Sequence, residues 1–350
     1  MTNALGMMTL TSLALLWLAA PLRAESGGNI AAKPLFRDPV HDGAADPVLV
    51  WNRGERRWFM FYTNRRANVP DLPGVSWVHG TRIGIAESLD RGATWKYRGI
   101  AEIDYGKGEY SYWAPDVIDD GARYHMFLSF VPGMHTDWSV TRQIIHLTSD
   151  DLLKWKYEST LKLASDRVID PTLARLPDGT WRMWYNEERD HKSIYCADSA
   201  DLYTWHDKEK VIGDQPGEGP KVFRWKEHYW MIVDVWQGLR VYRSDGAVKW
   251  EKQDEQLLAE PGKGADDRVK GGHADVVVSG ERAFLFYFTH PGRTGPDAKR
   301  DSYEQRRSSI QVVELHEKDG QLTCNRDEPA RILLLPTNSE RATTRPGGAN

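Results

Sequence analysis

Five short stretches of this 350-residue chain open apolar runs with groups that can hold or move a proton. They read ADP at Asp46, WAPD at Asp116, IDP at Asp170, EGP at Glu218 and GHAD at His273, with Asp275 just behind. Taken singly, each is a turn signal, because Asp-Pro and Gly-Pro are turn dipeptides and an Asp before a strand commonly caps backbone groups. Taken together they ask for more. Carboxylates gathered in one place repel one another and cost stability unless a task or a counter-ion keeps them there. The chemistry such a set can do is proton transfer, cation binding, or both.

The elements that must position these groups recur along the chain. RWFMFYTN (57–64), RYHMFLSF (123–130), TWRMWYNE (180–187), HYWMIVDV (228–235) and RAFLFYFT (282–289) are short, aromatic or β-branched, and each follows a polar turn. Ahead of each turn lies the apolar run that the acidic residue opens, so the unit is a strand, a tight turn and a strand. Two further strands follow. Four of the units place a Ser-Asp pair or a close variant and then a Trp between them, as in RIGIAESLDRGATWKY, and the last unit keeps the strands but lacks the Trp. Four strands repeated five times, at a spacing of roughly 50–70 residues, predict an all-β, five-bladed β-propeller with four-stranded antiparallel blades. In that architecture the first strand of every blade lines the central axis, so the acids meet there. Residues 25–335 form a single domain on this reading.

The ordered set ADP, WAPD, VIDPTL and EGP, with the late GHAD, resembles the glycoside hydrolases of family 43 over nearly the whole chain after its leader. The resemblance implies general base Asp46, general acid Glu218, and Asp170 as the carboxylate that tunes and orients. It also implies that His273 lies near a central cation or water; a central calcium ion is admitted but no cofactor is required. Related retaining enzymes on this fold carry RDP and EC motifs, and FRDPV (36–40) precedes blade one with no EC after it. The resemblance further implies an inverting hydrolysis of arabinofuranosyl, xylosyl or galactofuranosyl type, acting on an oligosaccharide or polysaccharide. Two carboxyls must then flank the anomeric carbon with room for a water, and crowding by Asp170 would favour the protonated acid.

Chain direction says which loops wall the pocket, because the second strand of each blade returns to the face where the acids open. Those loops supply Trp77, His79, Trp138, Asn186 and His290, and the inner strand of blade two supplies Trp113; these, with Asp116, are the expected substrate contacts. Three of the loops are long, which predicts a closed pocket and exo-action. Glu187 and Glu188 sit at the same mouth as rivals to Glu218 for the acid, and read as solvated loop carboxylates.

Composition excludes some partners. The net charge is −4, with no basic field for nucleic acid or an anionic membrane. Most of the 15 Trp suit a β-rich core, and the remainder suit stacking on sugar faces. The two cysteines, Cys196 and Cys324, read as free thiols, too few for a zinc site of the usual cysteine-rich kind. The apolar run from Leu10 to Ala20 has the length of a signal-peptide core, predicting cleavage near residue 24, no membrane association afterwards, and a periplasmic or secreted protein. Residues 336–350 read as a flexible tail. Three rival functions stand beside hydrolysis: a non-catalytic carbohydrate-binding propeller, transfer or phosphorolysis on the same fold, and a metalloenzyme role in which one axial His with acids holds calcium through water. Phosphorolysis would call for Arg or Lys clustered at the axis, and none opens an inner strand, although Arg65, Arg66 and Arg142 lie in the loops.

Overall fold

The computed structural model describes residues 27–295 and 301–336; the leader and residues 337–350 lie outside them. Five antiparallel sheets follow one another along the chain. Their innermost strands are Ala44–Asn52, Tyr110–Asp119, Val168–Arg175, Glu218–Trp225 and Gly272–Ser279. Each is paired with the next strand in sequence, as the hairpin reading requires, and each packs against the inner strands of its two neighbours. Blade five packs against blade one, so the sheets close into a five-bladed β-propeller. Blade two carries one extra edge strand, Glu102–Asp104, parallel to Lys154–Thr160.

Why the third strand of a blade turns into the fourth is visible in the Ser-Asp repeat. The Ser149 and Ser199 hydroxyls accept the amides of Leu152 and Leu202, while Asp151 and Asp201 accept those two and three residues ahead of them. These side-chain turns replace the ladder bonds that the chain gives up as it reverses. The Trp that follows is then delivered to the blade interface. Trp155, for example, meets Phe61 of blade one edge-on at 5.8 Å. Ten of the fourteen described Trp pack between blades in this way, so the aromatic excess is mostly core.

The ring is closed by the ends of the described chain. Asn29–Ile30 pairs with Arg331–Ile332, Phe36 bridges to Ile310 of blade five, and the Leu334 amide donates to Arg91 of blade one. On the axis, below the pocket, a buried polar knot ties all five inner strands. Lys221 of blade four lies 3.1 Å from Asp116 of blade two and 2.8 Å from Asp275 of blade five. Asp116 accepts the Leu173 amide of blade three, and Asp275 accepts the Leu49 amide of blade one. Cys196 and Cys324 are free, the first buried and the second half-buried.

Candidate active site

Each inner strand is broken by a β-bulge near its start. In the first four blades the bulged pair is a residue of positive φ followed by proline: Asp46 (φ 52°), Ala114 (42°), Asp170 (56°) and Gly219 (56°). Proline has no N–H to lose at an unpaired position, and the bulge turns the residue before it out of the strand's alternation toward the axis. A left-handed backbone is uncommon outside glycine, but Asp tolerates it best among the acids. The Asp-Pro motif is therefore a device for aiming a carboxylate. In blade five His273 alone is bulged, and it reaches back to blades four and one.

Asp46, Asp170, Glu218 and His273 line one cavity of about 800 Å³ at the mouth of the ring. Asp46 is buried and accepts two bonds from Nη2 of Arg65, at 3.0 and 3.1 Å, with His273 Nδ1 at 3.5 Å. Arg65 is itself held, with its Cζ 4.8 Å above the Phe288 ring and Nη1 3.2 Å from Nε2 of His290. Burial opposes ionisation of Asp46, but Arg65, His273 and a hydrogen bond from Thr63 outweigh it and hold the carboxyl below its ordinary range. Asp46 is a carboxylate at neutral pH.

Across the cavity Glu218 is half-exposed. Its Oε1 accepts from the Trp236 indole at 2.9 Å, and its Oε2 lies 3.4 Å from Nζ of Lys192. Lys192 is shared with Glu188 at 2.7 Å, which in turn meets Arg142 at 2.5 Å. Asp170 lies between the two sides and accepts the amide of Gly219 at 2.9 Å. Burial, then the charges of Glu218 and Asp46, push Asp170 well above the usual carboxylate range. Asp234, directly opposite Glu218 in the blade-four ladder, accepts the amides of Trp236 and His273 at 2.7 and 2.8 Å. Burial and the facing Glu218 push it up to about 7. The site thus sets an ionised Asp46 on the blade-one side against Asp170 and Asp234, whose carboxyls are raised, toward blades three and four, an asymmetry suited to acid–base work on one bond.

Trp77, Trp113, Trp138 and His290 line the same cavity, as their positions suggested. Three other expected contacts do not. His79 is buried behind the Trp113 ring, hydrogen-bonded to Ser111 and lowered to about 4 by burial and by neighbouring cations. Asn186 is fully buried, donating at 2.6 Å to the Gly217 carbonyl; it positions the segment that carries Glu218. Asp116 belongs to the axial knot, because the bulge in blade two falls on Ala114-Pro115 and not on the acid two residues later. Glu187 and Glu188 are also not solvated: Glu187 accepts from Ser165 and the Arg189 amide, and Glu188 is the buried link between Arg142 and Lys192. Sequence reading placed Arg65 in a loop at this face without a role in the site, and did not single out Asp234, Lys192 or Trp236. Asp234 was within reach, since the end of each second strand returns to the acid face.

The residues present do not fit a central calcium. Among the described residues no three His, Cys, Asp or Glu side chains come together as a ligand set. His273 Nδ1 faces Asp46 and its ring lies against Gly219, while the axial carboxylates are already spanned by the Lys221 ammonium.

Fold and bulged acids gathered at one cavity define a propeller built for acid–base chemistry, and comparison makes the assignment. Residues 36–321 match Glycosyl hydrolases family 43, and the chain belongs to that family of glycosidases. Similar solved structures include a thermostable family-43 glycoside hydrolase (20% identity, TM-score 0.62, covering 86% of this chain and 98% of that one). A β-xylosidase/α-arabinofuranosidase from a compost microbial metagenome, in a calcium-free form with xylotriose, shares 16% identity with TM-score 0.60, over 85% and 97% of the two chains. A β-1,3-galactosidase with galactodeoxynojirimycin shares 16% with TM-score 0.62, over 84% and 98%. No curated protein matches the sequence.

Proposed function

We propose that this glycosidase works by inversion and removes one terminal sugar, of arabinofuranosyl, xylosyl or galactofuranosyl type, from an oligosaccharide or polysaccharide. The observation that carries the reading is the division of the cavity: Asp46 is kept ionised by Arg65 and His273, and Glu218 stands on the other side beside Trp236 and Lys192. Asp46 takes the proton of the attacking water, Glu218 protonates the leaving oxygen, and Asp170 orients the sugar between them. Exo-action is supported by walls on three sides, from the helical turn Ser76–Val78, the Trp138 loop and the His290 loop. Relatives that hold xylotriose or galactodeoxynojirimycin support a sugar of this size in the pocket. The leader sequence supports export to the periplasm or beyond.

The test is a panel of nitrophenyl furanosides and pyranosides, run on the wild type, Glu218→Gln and Asp46→Asn. Asp46→Asn should lose roughly 100-fold or more in kcat on any cleaved member. Glu218→Gln should lose least on nitrophenyl substrates, whose leaving group needs little protonation, and most on natural oligosaccharides. Activity untouched by both changes refutes the roles. A time course on a linear oligosaccharide decides the mode, since early mid-chain fragments contradict exo-action.

A further inference from the structure

The cavity carries more positive charge than an acid–base site for neutral sugars calls for. Seven guanidinium or ammonium groups line it against five carboxyls. Three of the cations are spent inside the site: Arg65 on Asp46, Arg142 on Glu188, and Lys192 on Glu188 and Glu218. Others are not. Arg167 donates to the Trp138 carbonyl, but its buried Nε has no partner in the protein. Arg268 makes no hydrogen bond or ion pair among the described residues, and Lys270 meets only the neutral amide of Gln237. Arg268 and Lys270 are exposed at the rim.

Their place is specific. Gln237 follows Trp236, whose indole holds Glu218, so Lys270 stands on the side from which a leaving group receives its proton. Trp236 is 40% exposed and sits at φ 59°. A bulky aromatic held in the left-handed region is strained, and strain of this kind is kept where a side chain must be presented. The part-exposed indole beside the acid has the Lys192 ammonium 5.5 Å from its ring centre and is followed by two cations that meet no carboxylate, a surface for a sugar ring carrying an anion.

We infer that the part of the substrate on the leaving-group side is an acidic glycan, bearing a uronate carboxylate or a sulfate ester that Lys270 and Arg268 receive while its ring stacks on Trp236. The inference rests on the glycosidase reading above. With Asp170 and Asp234 pushed toward their protonated forms, the positive excess over the cavity is larger still.

The experiment compares matched oligosaccharides with the wild-type protein. One arm is a uronate-bearing oligosaccharide against the same material with its carboxyls reduced to alcohols; the other is a sulfated oligosaccharide against its desulfated form. Each pair shares the terminal sugar that the nitrophenyl panel identifies. The expected result is a kcat/KM ratio of roughly tenfold in favour of one acidic member, about what two part-exposed ion pairs supply. The arm that shows it names the anion. The preference should sit in KM, shrink as salt rises from 20 to 300 mM, and fall toward unity in the double variant Arg268→Ser, Lys270→Ser. Because each value is a ratio within one variant, a general loss of activity cancels. A ratio near one in both arms, or a preference that survives the double variant, overturns the inference while nitrophenyl cleavage leaves the glycosidase reading standing. Phosphate-dependent turnover that releases a glycosyl phosphate also overturns it, by assigning the cations to phosphate.

Discussion

Gly219 offers the sharpest test of how the site is assembled. Its φ is +56°, and a Cβ placed there would stand 2.6 Å from Cγ of His273, 2.7 Å from Nδ1 and 2.8 Å from Cδ2. Those are three atoms of a ring, not the free end of a flexible chain, so the whole imidazole must move. Its backbone cannot follow easily, because the His273 amide is bonded to Asp234 at 2.8 Å. Gly219→Ala therefore costs about 1 kcal/mol for the left-handed backbone and about 1–3 kcal/mol more for the overpacked contact. The displaced ring takes with it the Nδ1 that stands 3.5 Å from Asp46. Urea unfolding should show the stability loss, and the acid limb of the kcat/KM profile should move to higher pH, because His273 is one of the groups that hold Asp46 below its ordinary range. A double-mutant cycle isolates the contact. In a His273→Ala background the same Gly219→Ala change should cost only the backbone term, about 1 kcal/mol, which leaves a coupling of about 1–3 kcal/mol. Equal costs in both backgrounds would refute the packing of His273 on Gly219, and with it the account of how blade five supports the base.

Arg65→Gln should move the acid limb of the kcat/KM profile to higher pH, because Asp46 then keeps its burial and loses the guanidinium that holds it low; a pH–rate series reads this directly. Asp234 gives a stability signature of the opposite sense. A carboxyl raised to about 7 contributes stability that is fully present below about 4 and is lost as pH rises through 7, on the order of 4 kcal/mol at most. Urea unfolding at pH 5 and pH 8 should show that decline in the wild type and a smaller one in Asp234→Asn. Lys221→Met should cost about 3–5 kcal/mol by leaving Asp116 and Asp275 buried without a cation, and Asp116→Asn with Asp275→Asn should restore part of it. Since the ammonium already spans those acids, neither calcium nor a chelator should shift the wild-type Tm by more than about 1 °C.

The blades were legible because a half-buried hairpin writes its own pattern: the predicted second strands at 57–64 and 282–289 coincide with the observed ones, and the others differ by a residue or two at their ends. The site was legible only where the acid and the bulge coincide. Asp46 and Asp170 are themselves the residues before proline, so matching on the acid found them. Matching on the acid failed in blade two, where the proline follows Ala114 and the nearby Asp116 falls on the strand beyond the bulge. There it serves the axis and not the pocket. The proline was the better marker, since it records where the ladder must lose a bond, while an acid records only that something must neutralise it. Asp234 and Lys192 were not singled out, and Arg142 was placed in a loop at this face without a role, for a related reason. What makes them part of the site is which buried charge each one faces across a blade boundary, and that depends on the closure of the ring, which no local stretch of sequence contains. The Arg142–Glu188–Lys192 chain, buried at Arg142 and Glu188, shows the consequence: residues read singly as loop charges become, once the blades close, the support on which Glu218 stands.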